Sequence, residues 1–437
     1  MKIKTSKSKS LLFKMFLLPF LITLFCLTIN GQNVRTEVAG IPINYDEAKV
    51  PSYTLPDPLV MQNGRKVESP ETWYKKRRPE ILRLFENEQF GKFPDRSGIS
   101  FNVFETGTLA FNETAVRKQV TIYFTDDTSK YKADLLIYLP VKTKEPAPLF
   151  LQISFSPNSL AVNDPGVKQG MMWNREGKRV PVPEGRRFGS LDVEKIISEG
   201  IGLATIYYGD IEPDFPQGIK YGIIGHFLKD GMNSPSSDEW GTISAWAWGL
   251  GCVMDYLETD KQVDSKKVAL FGVSRLGKTV LWAGASDERF GMVIASCSGE
   301  GGAAISRRQY GETIKHMTDS TRYFYQFCGN RAKYGDDPNK SPVDAHMLVS
   351  LLAPRPLLLQ TGDTDNWSDP KGEFVAAVAA EPVYELLGKK GLETNEWPAA
   401  GGPILNDLGY YMHSGRHGSL PADFDIFLDF TKMHFMK

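Results

Sequence analysis

The chain has 437 residues, with 51 Lys and Arg against 52 Asp and Glu and a formal net charge of −1. A balance this close to neutral argues against nucleic acid or another polyanion as partner. Four cysteines, Cys26, Cys252, Cys297 and Cys328, match no zinc-ligand spacing and form no dense disulfide framework. The length suits one long α/β unit or two smaller domains.

Residues 1–31 are laid out as a cleavable signal peptide. Lys2, Lys4, Lys7, Lys9 and Lys14 precede the apolar run Met15 to Phe25, and small Gly31 offers a cleavage point before Gln32. The run is shorter than the roughly 20 residues a spanning helix needs, and Pro19 interrupts it. Bulky Phe25 ahead of Cys26 fits lipid attachment poorly. The expectation is a secreted or periplasmic protein whose mature chain has no membrane span and retains three cysteines.

Residues 32–95 read as a lead-in packed on the main body, Pro-rich at first and then helical from Pro70 to Phe85, with Pro and Glu at the helix start. The main domain is expected over 96–437. It opens with alternating patterns at Ile99 to Phe104, Arg117 to Phe124 and Ala133 to Pro140, which predict antiparallel strands with one exposed face. After Pro148 the pattern changes to short continuous apolar strands: Leu149 to Phe155, Gly202 to Tyr207, Val268 to Phe271, Met292 to Ser296 and Pro356 to Gln360. Helical patterns lie between them at 192–198, 242–257, 275–285 and 374–387. Such alternation predicts an α/β-hydrolase-like fold: a mostly parallel central sheet in a three-layer αβα sandwich, with an antiparallel start. The Gly-, Pro- and Arg-rich stretch Asn163 to Gly189 reads as a surface insertion near the strand ends.

The stretch Val268-Ala-Leu-Phe-Gly272-Val-Ser274-Arg275-Leu-Gly277-Lys278 predicts a buried strand, a tight turn and a helix. A serine on such a turn is held out at the carboxyl edge of the sheet, the logic of the nucleophile elbow, here with its second glycine one position late. Serine is a poor nucleophile at neutral pH and needs a histidine oriented by a carboxylate. The order Ser, acid, His can be completed by His417, in a glycine-flanked loop ahead of a helix expected over 421–430, with His413 as the alternative base. Asp363, Asp365 and Asp369 compete for the acid at the end of the strand at 356–360, and Glu300 follows the preceding strand. No metal or cofactor is implied, because no His, Asp or Cys cluster has ligand spacing.

Gly272-Val-Ser274-Arg275-Leu-Gly277-Lys278 closely resembles the G-C-S-R-x-G-K signature of carbohydrate esterase family 15, the glucuronoyl esterases. Ser298-Gly299, Tyr310-Gly-Glu312-Thr, Asp365-Asn-Trp367-Ser-Asp-Pro370 and Gly415-Arg-His417 resemble further family motifs in family order, and Tyr208 to Phe215 also fits. The resemblance covers most of the chain from about Thr72. It implies an α/β-hydrolase that cleaves the ester between glucuronic acid of glucuronoxylan and a lignin alcohol. Ser274 would be the nucleophile, His417 the base and Arg275 an oxyanion ligand, with Lys278, Glu312 and Trp367 contacting the sugar. Some members, including fungal ones, carry the acid just before the Ser-Gly pair, where this chain has Cys297. Many bacterial members place it after the later strand, which falls on Asp365, with Glu300 second and Asp363 third. The segment Ile153 to Asn158 also departs from the family's N-F-x-G-N-H pattern. A monomer is expected. Two alternatives stand: another carbohydrate esterase, such as an acetyl xylan esterase, and a non-catalytic uronate- or xylan-binding protein on the same fold.

Overall fold

Adjacent residues of one strand point to opposite faces, so an unbroken apolar strand must be covered on both sides. Val268 and Leu270 join one buried cluster, while Ala269 and Phe271 join the other. Leu357 and Leu359 separate from Leu358 in the same way. The computed structural model describes residues 35–183 and 191–436. The signal peptide expected over 1–31 and the end of the Asn163–Gly189 insertion lie outside the described residues.

Nine strands form the central sheet: β1 (Ser100–Ala110), β2 (Ala115–Tyr123), β3 (Lys132–Pro140), β4 (Ala147–Ser154), β5 (Gly202–Tyr207), β6 (Val263–Val273), β7 (Met292–Ser296), β8 (Leu357–Gly362) and β9 (Leu408–His413). Their order is β1-β2-β3-β5-β4-β6-β7-β8-β9. Pairing is antiparallel from β1 through β3 to β5 and parallel from β5 onward. The main helices are α1 (Arg78–Phe85), α2 (Val193–Ser198), α3 (Thr242–Leu257), α4 (Arg275–Ser286), α5 (Pro370–Leu386) and α6 (Asp423–Phe435). Buried residues of α3, α4 and α5 share one face of the sheet, and those of α2 and α6 the other. This is the three-layer α/β-hydrolase arrangement. No helix among the described residues is long and apolar enough to cross a membrane.

The sequence pattern supplies no strand after Gln360, yet Leu408–His413 is one, buried along its whole length. Gly409 interrupts the apolar pattern there, and parallel pairing with β8, from Leu357↔Leu408 to Gly362↔His413, recruits the segment. The lead-in helix also runs further than Phe85. Ser69 Oγ accepts from Thr72 N at 3.2 Å ahead of Pro70, and wider turns at Trp73–Arg77 and Glu86–Phe90 flank α1. Trp73, Ile81, Phe85 and Phe90 belong to the same cluster as the central sheet, and Phe90 stacks on Trp282 of α4 with ring centroids 4.6 Å apart. Within the insertion, Met171–Trp173 and Arg179–Pro181 form a hairpin. It is tied to the end of β5 by Trp173 Nε1 donating to Gly209 O at 2.7 Å and by an Arg179–Asp210 ion pair at 2.5 Å.

Candidate active site

Ser274 joins β6 to α4 with φ 61° and ψ −127°, a conformation L-residues rarely hold. Such strain costs of order 1–3 kcal/mol and persists where the surroundings enforce it. Here Ser274 N donates to Ser296 O at 2.8 Å, tying the turn to the end of β7. A Cβ at Gly272 would lie 2.3 Å from Leu276 O, and one at Gly277 2.8 Å from Ser296 O. The displaced second glycine therefore falls where α4 crosses that carbonyl.

His417 follows β9 in an exposed loop, and Asp365 is buried just after β8. Asp365 Oδ2 lies 2.6 Å from His417 Nδ1, and Ser368 Oγ lies 3.1 Å from the same nitrogen. A carboxylate can only accept, so this pairing places the proton on Nδ1 and leaves Nε2 as the acceptor. The other carboxylates have other partners. Asp363 accepts from Gly415 N at 2.8 Å and pins the loop, and Asp369 caps α5 and pairs with Arg308 at 2.8 Å. Glu300 pairs with Arg331 and accepts from Ser306 Oγ at 2.9 Å. Burial pushes its carboxyl up to about 7 against the pull of Arg331. His413 is buried, with Nδ1 2.7 Å from Asp423 Oδ2 and Nε2 2.9 Å from Arg416 O.

Cys297 sits beside this pair, its Sγ accepting from Gly418 N at 3.3 Å. Although the sequence shows no ligand spacing, the fold brings ligand atoms of Cys297, Asp365 and His417 within 4.8 Å of one another. Burial, reinforced by the Asp365 charge, pushes the thiol well above its ordinary range. A neutral thiol is a poor metal ligand.

A charged cluster flanks the elbow. Arg275 pairs with Asp214 and lies over the Tyr323 ring at 4.9 Å. Burial would lower its affinity for the proton, but Asp214 outweighs that and holds the guanidinium charged. This offsets the poor fit of a cation to a helix N-terminus. Tyr325 OH and Gln326 Nε2 donate to the other Asp214 oxygen at 3.0 and 2.8 Å. Lys278 is 5% exposed, so it is not a solvated helix residue; burial lowers its pKa and Glu312 opposes that. Burial raises Glu312, with Lys278 and Arg322 opposing. Arg322 pairs with Glu312 at 2.9 Å and lies 5.4 Å from the half-buried Trp367 ring, while Glu312 N donates to Trp367 O at 2.8 Å. Glu312, Trp367 and Lys278 thus form one neighbourhood. Asp214, Ser368, Tyr323 and Arg322 were not singled out in the sequence. Asp214 lies in the Tyr208–Phe215 segment and Ser368 in the Asp365–Pro370 motif, both of which resemble the family, and nothing local marks Tyr323 or Arg322.

Fold and elbow together define an α/β-hydrolase. The family described as fungal glucuronyl esterase matches residues 233–388. Carbohydrate esterase MZ0003, from an unknown prokaryotic organism, is 43% identical over 399 residues, covering 90% of this chain and 92% of its own. The structure of a glucuronoyl esterase from Solibacter usitatus superposes with a TM-score of 0.85 at 45% identity, over 89% of this chain and all of that one (100%). A family 15 glucuronoyl esterase from Teredinibacter turnerae gives 0.76 at 31% identity, over 90% of this chain and 93% of that one. The chain belongs to carbohydrate esterase family 15, a family of carboxylic ester hydrolases.

Proposed function

We propose that the chain is a serine esterase hydrolysing the ester between (4-O-methyl-)glucuronic acid of glucuronoxylan and lignin alcohols. The observation that carries this reading is Ser274 at positive φ, followed on the same helix by Arg275 and Lys278. A carbonyl carbon attacked at Ser274 develops its negative oxygen beside a guanidinium, and a buried ammonium one helical turn on suits a polyhydroxylated acidic sugar. The glucuronoyl esterase from Solibacter usitatus, at 45% identity, supports the same substrate class.

In the proposed mechanism, His417 Nε2 takes the Ser274 Oγ proton as Oγ bonds to the uronate carbonyl carbon. Asp365 holds the ring through Nδ1 and stabilises the imidazolium that forms. Arg275 and backbone N–H groups at the start of α4 stabilise the tetrahedral oxyanion. The carbon–alkoxide bond then breaks, and the alcohol leaves with the proton from His417. Water repeats the sequence on the uronoyl-enzyme, releasing glucuronate and restoring Ser274. Lys278, Glu312 and Trp367 would hold the sugar, the indole offering a flat apolar face. Export through the leader at residues 1–31, to the periplasm or outside, would bring the enzyme to a polymeric substrate.

The test uses benzyl glucuronate beside acetylated xylan. Wild type is expected to turn over the uronate ester in strong preference, and Ser274→Ala to lose at least about 10,000-fold in kcat. Preference for the acetylated polymer would replace the uronate reading with that of an acetyl esterase. Wild-type turnover by Ser274→Ala would remove the serine mechanism.

A further inference from the structure

His413 has no part in the reaction proposed above, yet both of its ring nitrogens are engaged in the interior. It ends β9, paired in register with Gly362 at the end of β8, and is 3% exposed. Nε2 lies 2.9 Å from Arg416 O, and a carbonyl can only accept, so Nε2 carries a hydrogen. Nδ1 lies 2.7 Å from Asp423 Oδ2. The same Oδ2 accepts from Leu420 N at 2.7 Å. Gln360 Nε2, 3.0 Å from Nδ1, packs the pair against β8.

The two residues therefore grip the chain at Arg416, immediately before His417, and at Leu420, three residues after it. Between these points lie Gly418 and the exposed side chains of Arg416 and His417. A glycine-containing loop of this kind loses much conformational freedom on ordering, and hydrogen bonds made in the interior are strong enough to hold it. Asp363 and Thr364 secure the front of the loop through Gly415 N and Gly415 O, at 2.8 and 2.7 Å. The His413–Asp423 pair secures its back.

We infer that the buried His413–Asp423 pair is a positioning unit for His417, holding the Arg416–Leu420 loop so that the His417 ring meets Asp365. The inference rests on His417 being the base. Misplacing a catalytic group by about 1 Å can cost on the order of 100-fold in rate.

The test exploits two partial mimics of histidine. His413→Gln keeps a donor near the Nε2 position for Arg416 O, whereas His413→Asn keeps one near Nδ1 for Asp423 and drops the loop contact. With benzyl glucuronate, and rates scaled to the folded fraction measured by near-UV circular dichroism, His413→Asn is expected to lose about 10- to 100-fold in kcat. Its KM should stay within about twofold, and His413→Gln should lose distinctly less, a split that a merely structural role would not produce. A folded His413→Asn with wild-type kcat overturns the inference, as does a loss that only tracks the folded fraction. Should both variants fail to fold, backbone hydrogen exchange in the wild type decides. Slow exchange at Leu420 N supports the clamp, and exchange at the rate of a free loop overturns it. His417→Ala is the control. If a fluorophosphonate labels its Ser274 at the wild-type rate, the assignment of the base has failed, a result separate from any seen at His413.

Discussion

Asp365 and Glu300 are both buried carboxylates near the elbow, and their partners set different consequences for losing the charge. Asp365 meets His417 Nδ1 at 2.6 Å, whereas Glu300 meets Arg331 and Ser306. Asp365→Asn would present an amide to Nδ1 and favour the wrong tautomer, so kcat on benzyl glucuronate should fall by about 1,000- to 10,000-fold with little change in stability. Glu300→Gln would leave the Arg331 guanidinium buried without its counter-charge. The expected result at pH 8.5, where a carboxyl pushed up to about 7 is ionised, is a loss of about 3–5 kcal/mol in denaturant unfolding, with kcat per folded molecule retained. Loss of turnover only in Glu300→Gln would reverse the two assignments. Ser274, Arg275 and Lys278 are legible in the sequence because one turn and one helix bring them together. The choice among Asp363, Asp365, Asp369 and Glu300 is not legible there. It depends on how the loops after β8 and β9 lie side by side, and β9 itself is hidden by Gly409 and recruited only by pairing with β8.

At the scale of elements, α4 carries the elbow on one side and the lead-in on the other. Trp282 is fully buried on α4, stacked on Phe90 at 4.6 Å and within 6.4 Å of both Phe85 and Phe93, measured between ring centroids. Trp282→Ala would remove a large apolar surface and leave a cavity between two elements that cannot both collapse into it. A loss of about 3–5 kcal/mol is expected in urea or guanidinium unfolding. A change below about 1 kcal/mol would mean that the lead-in contributes little to holding α4. The Pro and Glu at the start of the Pro70 segment announce a helix, but not that its apolar residues join the cluster of the central sheet. That docking is a contact between residues nearly two hundred positions apart.

Over the whole molecule, stability against pH reflects groups that the fold moves in opposite directions. Glu373, at the start of α5, accepts from Gly299 N at 2.6 Å and Ser298 Oγ at 3.1 Å, and burial pushes its carboxyl up to about 8. An unfolded glutamate titrates near about 4.3, so between these values the native state holds a proton that the unfolded state lacks, and stability falls as pH rises. Glu105 is the reverse case. Its hydrogen bond from Arg117 lowers it to about 2, so its contribution is present above about 4.3 and lost as pH falls toward 2. The thermal midpoint is therefore expected to drop by several degrees from pH 5.5 to pH 8.5, and Glu373→Gln, which keeps an acceptor for Gly299 N, should shrink that drop. An undiminished drop in the variant would locate the effect elsewhere. The sequence by itself determined the layered class of the fold and the residues of the elbow, because both rest on short-range periodicity and on the backbone demands of a tight turn. The tertiary structure decided which carboxylate faces His417, that His413 is an interior residue rather than an exposed one, and that Arg275 has Asp214 as its counter-charge. Each of these is a pairing across strands or loops distant in the chain, where burial and partner geometry, not local pattern, select the contact.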